Sequence, residues 1–505
     1  MPVGLLPALV KNMDYQYIHN WNSKLQVNGI CFDSRKIKPG YIFVAIKGKQ
    51  LDGHDYIKEA LRKGAAVVVA ETPPLNECSA TWIRVFDSQL ALAQLTANFH
   101  GHPCKELILV GITGSCGKTT TSTLLQNIYE AADKNTGLIG TVNNSCRGDS
   151  WPASMTTPDA LETQNLLRMM VDSGVTHASM EVSSHSLAQK RVDGIQFDGT
   201  IFTNISPNHL DFHQNLENYV QSKKRLAFLA KERGFILANA DDPFFKNLKP
   251  GNNVALYFYG KHPSCDFYIS NDNVRKDGSF FRLTVQNPEV LEYCCSDKHY
   301  HFYVPILGRH NIYNAAAAAS ASLLTKIPEN YLYSGLASFR GVERRLQIYQ
   351  LDGFNIVDDK AMTPGGINAV FQTLQELSFS RMIVVYALRG SRGTQVNEDN
   401  GRTLAQWIKQ LKINYFFSTS SVSHVSQDNE VLPEEEKAFF RGARSAGRSP
   451  LHFKELPEAI SQALKVAAPG SALLILGSKG MDEGVRVLQE QLEKAPVNVS
   501  LAGAS

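Results

Sequence analysis

The chain alternates between short unbroken apolar runs and longer stretches with apolar residues every three or four positions. Leu-Ile-Leu-Val-Gly-Ile at 107–112 is apolar throughout, as expected of a strand covered on both faces. The spacing then predicts a helix over 119–131, strands at 177–182 and 200–205, a helix at 216–230 and a strand at 235–238. Such alternation predicts a parallel sheet with helices on both faces. Residues 252–306 read as further β-type segments with polar breaks, and the Ala-rich run 314–324 as a buried helix. Upstream, 25–100 reads as a small α/β unit. There GICFDSR and GYIFVAI form short strands, and YIKEALRKGAAVVVAE a helix and a strand. A second alternating block begins near 340, with strands at 354–357, 382–386, 415–418 and 472–476. The stretch 421–450, rich in Ser, Glu and Arg, is expected to be a surface excursion. A break at Gly101-His102-Pro103 and another near 335 divide the chain into 1–103, 104–335 and 336–505.

Composition narrows the class. At roughly 150 residues per domain, 505 residues suit about three domains. Hydrophobic residues are 43% and charged residues 20%, which excludes wholesale disorder and a long coiled coil. The net charge of +3, from 51 basic and 48 acidic residues, calls for neither nucleic acid nor an anionic membrane as partner. No apolar run approaches the roughly 20 residues that span a bilayer. The start, MPVGLLPALVKNMDY, has no basic stretch ahead of its apolar residues, so no signal peptide is expected. Eight cysteines are scattered without a CxxC pair, which suits a reduced, cytoplasmic enzyme.

The strongest chemical signal is Gly111-Ile-Thr-Gly114-Ser115-Cys116-Gly117-Lys118-Thr119-Thr120-Thr121, with a strand running in and a helix running out. Glycines let backbone N–H groups approach phosphate oxygens, and the helix start adds partial positive charge. Lys118 can reach the β- and γ-phosphates, and the Thr119 hydroxyl can ligate Mg²⁺. Further polar clusters follow predicted strands: Met180-Glu181-Val-Ser183-Ser184-His185, then Thr203 to His213, then Tyr219-Val-Gln-Ser-Lys223. Open α/β sheets bind ligands at that edge. Glu181 is a hard oxygen ligand suited to Mg²⁺.

With these residues in hand the chain resembles the Mur ligases, most of all the UDP-N-acetylmuramyl-tripeptide synthetases. The resemblance runs through Phe32-Asp33-Ser34-Arg35, Pro39 to Gly48, Asp52-Gly-His54 and the phosphate loop. It continues through Thr156-Thr157-Pro158-Asp159, the Glu181 segment, Asn239-Ala-Asp-Asp242, Gly308-Arg-His-Asn311-Ile-Tyr-Asn314 and Arg345. It implies an α/β fold of three domains. A central P-loop-type ATPase domain would sit between a small N-terminal α/β domain and a C-terminal Rossmann-like domain.

The resemblance also implies a function. The enzyme would use ATP and Mg²⁺ to activate a carboxylate as an acyl phosphate and join an amino acid to it. The acceptor would be UDP-N-acetylmuramoyl-L-alanyl-D-glutamate and the second partner a free amino acid. The setting would be peptidoglycan synthesis, in a cytoplasmic monomer without nucleic-acid or membrane partners. A carboxylate from a specialised pathway is the alternative acceptor. The implied nucleotide site takes Gly114, Ser115, Cys116, Gly117, Lys118, Thr119, Thr120, Asn311, Arg345 and Asp358, with Asp359 equally open for the ribose. The implied metal and catalytic set is Thr119, Glu181, His209 and a carbamylated Lys223, next to the competing Lys224. The implied acceptor site takes Phe32, Ser34, Asn144, Thr156, Thr157, Ser183, Gln189 and Arg191.

Departures from the family pattern concentrate in the last third. Asp358-Asp359-Lys360-Ala361-Met362-Thr363-Pro364 replaces Asp-Tyr-Ala-His-Thr-Pro, and Arg389-Gly390-Ser391-Arg392 replaces Gly-Gly-Asp-Arg. Ser478-Lys479-Gly480-Met481-Asp482 replaces Gly-Lys-Gly-His-Glu. The Asp-Asn-Pro-Arg signature of diaminopimelate-adding members has no match near Ser418–Ser423. On that ground meso-diaminopimelate is not expected to be preferred; L-lysine and smaller or neutral amino acids remain open.

Overall fold

A computed structural model describes residues 4–48, 51–74, 78–294, 298–377, 379–391 and 393–494, side chains 293 and 294 excepted. Arg392 is therefore outside the described residues. The described residues build three large sheets and one two-stranded ribbon.

The first large sheet has five strands, in the order Tyr17–His19, Thr81–Arg84, Val67–Ala70, Tyr41–Val44 and Gly29–Cys31. All pairs are parallel except the edge strand Tyr17–His19. The helix Ser88–Phe99 starts on Asp87, whose carboxylate accepts from Leu90 N. It ends where Gly101 and His102 turn through left-handed backbone.

The second sheet has eleven strands. Its parallel centre runs Thr136–Ile139, His177–Glu181, Ile108–Thr113, Phe197–Phe202, Ala230–Asn239 and Ala255–Gly260. The apolar strand Ile108–Thr113 lies in the middle, paired on both sides. Its neighbours come from opposite windings of the chain, which makes a switch-point crevice at the carboxyl ends of these strands. The exit helix Lys118–Ala131 packs on the helix Arg309–Leu324. Ala315 to Ala319 there are all buried, and their small side chains let two helices meet closely. The helix expected over 216–230 stops at Lys224; the chain continues as a 3₁₀ turn, Arg225–Leu229, which buries Leu226 and Ala227.

The third sheet has six strands, ordered Gln347–Leu351, Phe354–Asp359, Ala472–Gly477, Met382–Ala387, Tyr415–Thr419 and Leu451–Phe453. The segment 421–450 is not a surface excursion. It contains the helix Pro433–Ser445, which buries Ala438, Phe439, Gly442 and Ala443 against the helix Thr394–Gln410. Gly442 lies against the Glu398 carbonyl and Gly401 against the Phe439 carbonyl, with no room for a Cβ at either. The apolar face is built mostly from small residues between many charged ones, so the segment reads as polar overall although the helix is amphipathic. Phe439→Ala should destabilise this domain by about 3–5 kcal/mol, as expected for a fully buried aromatic. Urea unfolding followed by circular dichroism measures this, and a loss within about 0.5 kcal/mol would place the ring outside the core. Among the described residues no helix is long and apolar enough to cross a membrane.

Candidate active site

The phosphate loop is shaped by what crowds it. Gly114 and Gly117 have positive φ, and a Cβ on either would collide with the Thr203 hydroxyl or the Asn314 carboxamide. Ser115 Oγ lies 2.7 Å from the Tyr219 hydroxyl and donates to Ser206 O at 2.9 Å. Cys116 N donates to Asn204 Oδ1 at 3.0 Å, and its exposed thiol takes no part in that contact. Lys118 Nζ donates to Gly114 O at 2.8 Å, closing the loop on itself. Burial lowers the Lys118 pKa, and the nearby Glu181 partly offsets this.

Glu181 ends the strand His177–Glu181 and is 0% exposed. Its Oε2 accepts from the Thr119 hydroxyl at 3.1 Å and the Thr141 hydroxyl at 2.8 Å. Its Oε1 accepts from Thr141 N at 2.7 Å. One carboxylate with two hydroxyls is a hard oxygen set that fits Mg²⁺. Among the described residues no group of three or more His, Cys, Asp or Glu side chains could hold a metal by itself. Thr141 was not singled out in the sequence; a lone Thr after a strand carries no signal there.

Lys223 rather than Lys224 turns inward. It is 1% exposed, its Nζ donates to Gly114 O at 2.8 Å, and it lies 4.8 Å from the Tyr219 ring centroid. Burial, and then the Lys118 charge, push its pKa well below the usual lysine range. His209 stacks edge-on with His185 at 4.7 Å between centroids. Burial and the Arg389 charge hold its imidazole well below its usual range, and Lys223 adds to that field.

Lys118, Thr119, Thr141, Glu181 and His209 line a cavity of about 810 Å³ between the second and third sheets, and Lys223 lies behind the phosphate loop rather than on the cavity wall. Ser115 to Thr120, Thr156, His209, Asn311 and Arg345 all face it. Asn311 Nδ2 donates to Leu307 O and Asn311 Oδ1 accepts from Asn314, so the pair is rigid. Of the two aspartates open for the ribose, Asp358 does not line this cavity. Strand alternation turns it away from the cavity, where it is 3% exposed and accepts from Arg344 Nε at 3.1 Å. Asp359 faces the cavity and accepts from Leu346 N at 2.7 Å.

A second cavity, of about 580 Å³, gathers Phe32, Ser34, Gln189 and Arg191. Thr157 joins neither cavity: its hydroxyl donates to Glu181 O at 2.8 Å and accepts from Ser183 N at 3.0 Å. Ser183 caps the helix Ser184–Ala188. Asn144 is also away from both cavities, 2% exposed, with its Oδ1 accepting from Gly140 N at 3.3 Å. Asp159 caps the helix Ala160–Asp172.

Three family models match the chain: "Mur ligase family, catalytic domain" over 26–100, "Mur ligase middle domain" over 112–322 and "Mur ligase, glutamate ligase domain" over 344–479. A UDP-N-acetylmuramoyl-L-alanyl-D-glutamate–2,6-diaminopimelate ligase of Syntrophomonas wolfei is 31% identical over 496 residues, covering 97% of this chain and 96% of its own. The enzyme of the same name from Caldanaerobacter subterraneus is 31% identical over 457 residues, 90% of each chain. The chain belongs to the Mur ligase family. Among solved structures, a MurF from Acinetobacter baumannii has a TM-score of 0.67 at 20% identity and covers 98% of this chain and 100% of its own.

As a Mur ligase the protein is an ATP-dependent acid–amino-acid ligase. Two of its departures from the family pattern, at 358–364 and 478–482, meet at Arg344. Arg344, buried and with φ 55°, donates from Nη1 to Asp482 Oδ1 at 2.5 Å and from Nη2 to Gly477 O at 2.6 Å, besides its bond to Asp358. Lys360 Nζ lies 3.5 Å from the same Asp482 oxygen. Arg345, the next residue, points the other way and donates to Thr119 Oγ1 at 3.3 Å.

Proposed function

We propose that this Mur ligase joins an amino acid to the D-glutamyl carboxylate of UDP-N-acetylmuramoyl-L-alanyl-D-glutamate, in the cytoplasm, as a step of peptidoglycan synthesis. The observation that carries the reading is the join between the two cavities. Met155 and Thr156 line the large one, Asp159 and Ala160 the smaller one, so a single short segment borders both. An acceptor whose uridine end lies beside Phe32 and Ser34 would pass Gln189 and Arg191 and reach the phosphate loop along this segment.

ATP, when bound, supplies the phosphoryl group that activates the acceptor carboxylate, and Mg²⁺ held by Thr119 and Glu181 supplies charge neutralisation. The protein's own task is to bring anions together and hold them. Lys118 and the backbone N–H groups of the loop face the phosphates. Arg345 and Asp359 close the nucleotide side from the third domain, and Asn311 and Asn314 offer a fixed amide pair for adenine. Lys223, as a carbamate, would carry anionic oxygens to a second Mg²⁺ beside His209.

The test is phosphate release and product mass after mixing the protein with ATP, this acceptor and an amino-acid panel. Release without the acceptor, or a product from an unrelated carboxylate alone, would overturn the reading. The amine must come to about 3–3.5 Å from the acyl carbon, and its pocket lies on the third domain. Closure of that domain about the link near Gly341 is therefore expected. Solution scattering should show a smaller radius of gyration with ATP analogue and acceptor than without; identical curves would count against closure.

A further inference from the structure

A tight hairpin holds Glu181 from one side. The strand Thr136–Ile139 runs parallel to His177–Glu181 with Ile139 opposite Met180, so the residues after Ile139 lie beside Glu181. There the chain turns back at once into the strand Asn143–Cys146, with Leu138 opposite Ser145 and Gly137 opposite Cys146. The turn is Gly140-Thr141-Val142. Its backbone passes so near the carboxylate that a Cβ on Gly140 would lie 2.9 Å from Glu181 Oε1. Thr141 then binds both oxygens, Oε1 from its N–H and Oε2 from its hydroxyl. Two donors on one residue, one to each oxygen, fix the plane of the carboxylate as well as its place.

The same hydroxyl meets the segment that borders both substrate cavities. Thr141 Oγ1 lies 3.1 Å from Thr156 Oγ1. Val142 O accepts from Ala153 N at 3.0 Å, which ties that segment to the hairpin. A hydroxyl has one proton and a carboxylate can only accept, so Thr141 gives its proton to Glu181 and takes one from Thr156. The chain of donors therefore runs from Thr156, on the wall of the large cavity, through Thr141 to Glu181. Thr119 also donates to this carboxylate, but it is itself the hydroxyl ligand of the proposed Mg²⁺. Among the described residues Thr141 is the other side chain hydrogen-bonded to it.

We infer that Thr141 is a positioning residue whose one hydroxyl sets Glu181 for Mg²⁺ and Thr156 for the acceptor at the same time. The inference rests on the proposed function and deepens it. Outer partners of a metal-binding carboxylate fix its orientation, and losing one commonly costs about 10–100-fold in metal affinity or activity. Thr141 is half-buried and borders the large cavity and a third one of about 580 Å³, so its side chain is not enclosed in a packed core. Thr141→Val keeps the N–H bond and the volume and removes only the hydroxyl, whereas Thr141→Ser keeps the hydroxyl.

The experiment titrates Mn²⁺ into the protein with a non-hydrolysable ATP analogue, followed by electron paramagnetic resonance. Beside it, KM is measured for UDP-N-acetylmuramoyl-L-alanyl-D-glutamate with ATP, Mg²⁺ and the amino acid that gives product. In Thr141→Val the Mn²⁺ affinity should fall about tenfold or more and the acceptor KM should rise, and Thr141→Ser should restore both. Thr156→Val should raise the acceptor KM while its Mn²⁺ affinity stays closer to the parent's. A loss of packing alone would not be undone by serine, which lacks the methyl group. Thr141→Ala carries the test if the valine variant does not fold. Unchanged Mn²⁺ affinity in the folded variant, or serine as weak as valine, overturns the inference while product formation still upholds the ligase reading. Lost Mn²⁺ affinity with the acceptor KM unmoved overturns the shared role. No product from the parent with any amino acid would instead overturn the ligase reading, and the acceptor role of Thr141 with it.

Discussion

Lys118→Ala is expected to abolish turnover in a protein that stays folded. The ammonium makes its hydrogen bonds to Gly114 O and Ser115 O of its own loop. No core contact depends on it, and the glycines and the Thr203–Ser206 segment hold the loop's shape without it. What is lost is a cation aimed at the place where phosphoryl charge redistributes, commonly worth about 10²-fold or more in rate. Phosphate release and the melting curve are read on the same sample. Near-normal release by the folded variant would remove Lys118 from the chemistry.

Lys223→Ala should be almost inactive, with Lys224→Ala close to the parent. Burial beside the Tyr219 ring and the Gly114 carbonyl puts only the first of these lysines next to the phosphate loop. A carbamate forms on a neutral amine, and an apolar seat next to Lys118 favours that form of Lys223. Removing the side chain removes the oxygens the carbamate would supply, so formate or acetate should restore part of the activity to Lys223→Ala. Mass spectrometry of the intact protein at high bicarbonate checks the modification directly. Full activity in Lys223→Ala would show that this amine has no part in the site.

The elements legible in the sequence are those whose signal is local. The strand Ile108–Thr113 is apolar because it is buried on both faces, and the phosphate loop carries its glycines, lysine and threonine in consecutive positions. Which of Asp358 and Asp359 faces the cavity depends on the phase of a strand's alternation, which the sequence does not supply. The helix Pro433–Ser445 escaped because its buried face is Ala and Gly around one Phe. Arg344 was not singled out in the sequence, where its partners Asp358 and Asp482 lie 14 and 138 positions away. Glu181, by contrast, stood out through its place after a strand, although its hydroxyl partner Thr141 did not.

The two arginines at the link deserve to be taken as one mechanical part. Arg344 is fastened to the third domain through Asp358, Asp482 and the Gly477 carbonyl, while Arg345 reaches Thr119 at the start of the phosphate-loop helix. A single planar peptide unit joins them. A nucleotide that draws Arg345 away from Thr119 therefore moves a residue bolted to the domain that receives the amino acid. If occupancy of one site changes the free energy of filling the other through this pair, then by reciprocity the amino acid alters nucleotide affinity by the same factor. Such a coupling would set how strongly the two substrates favour each other's binding, not which binds first, and it would reside in two neighbouring side chains that face opposite ways.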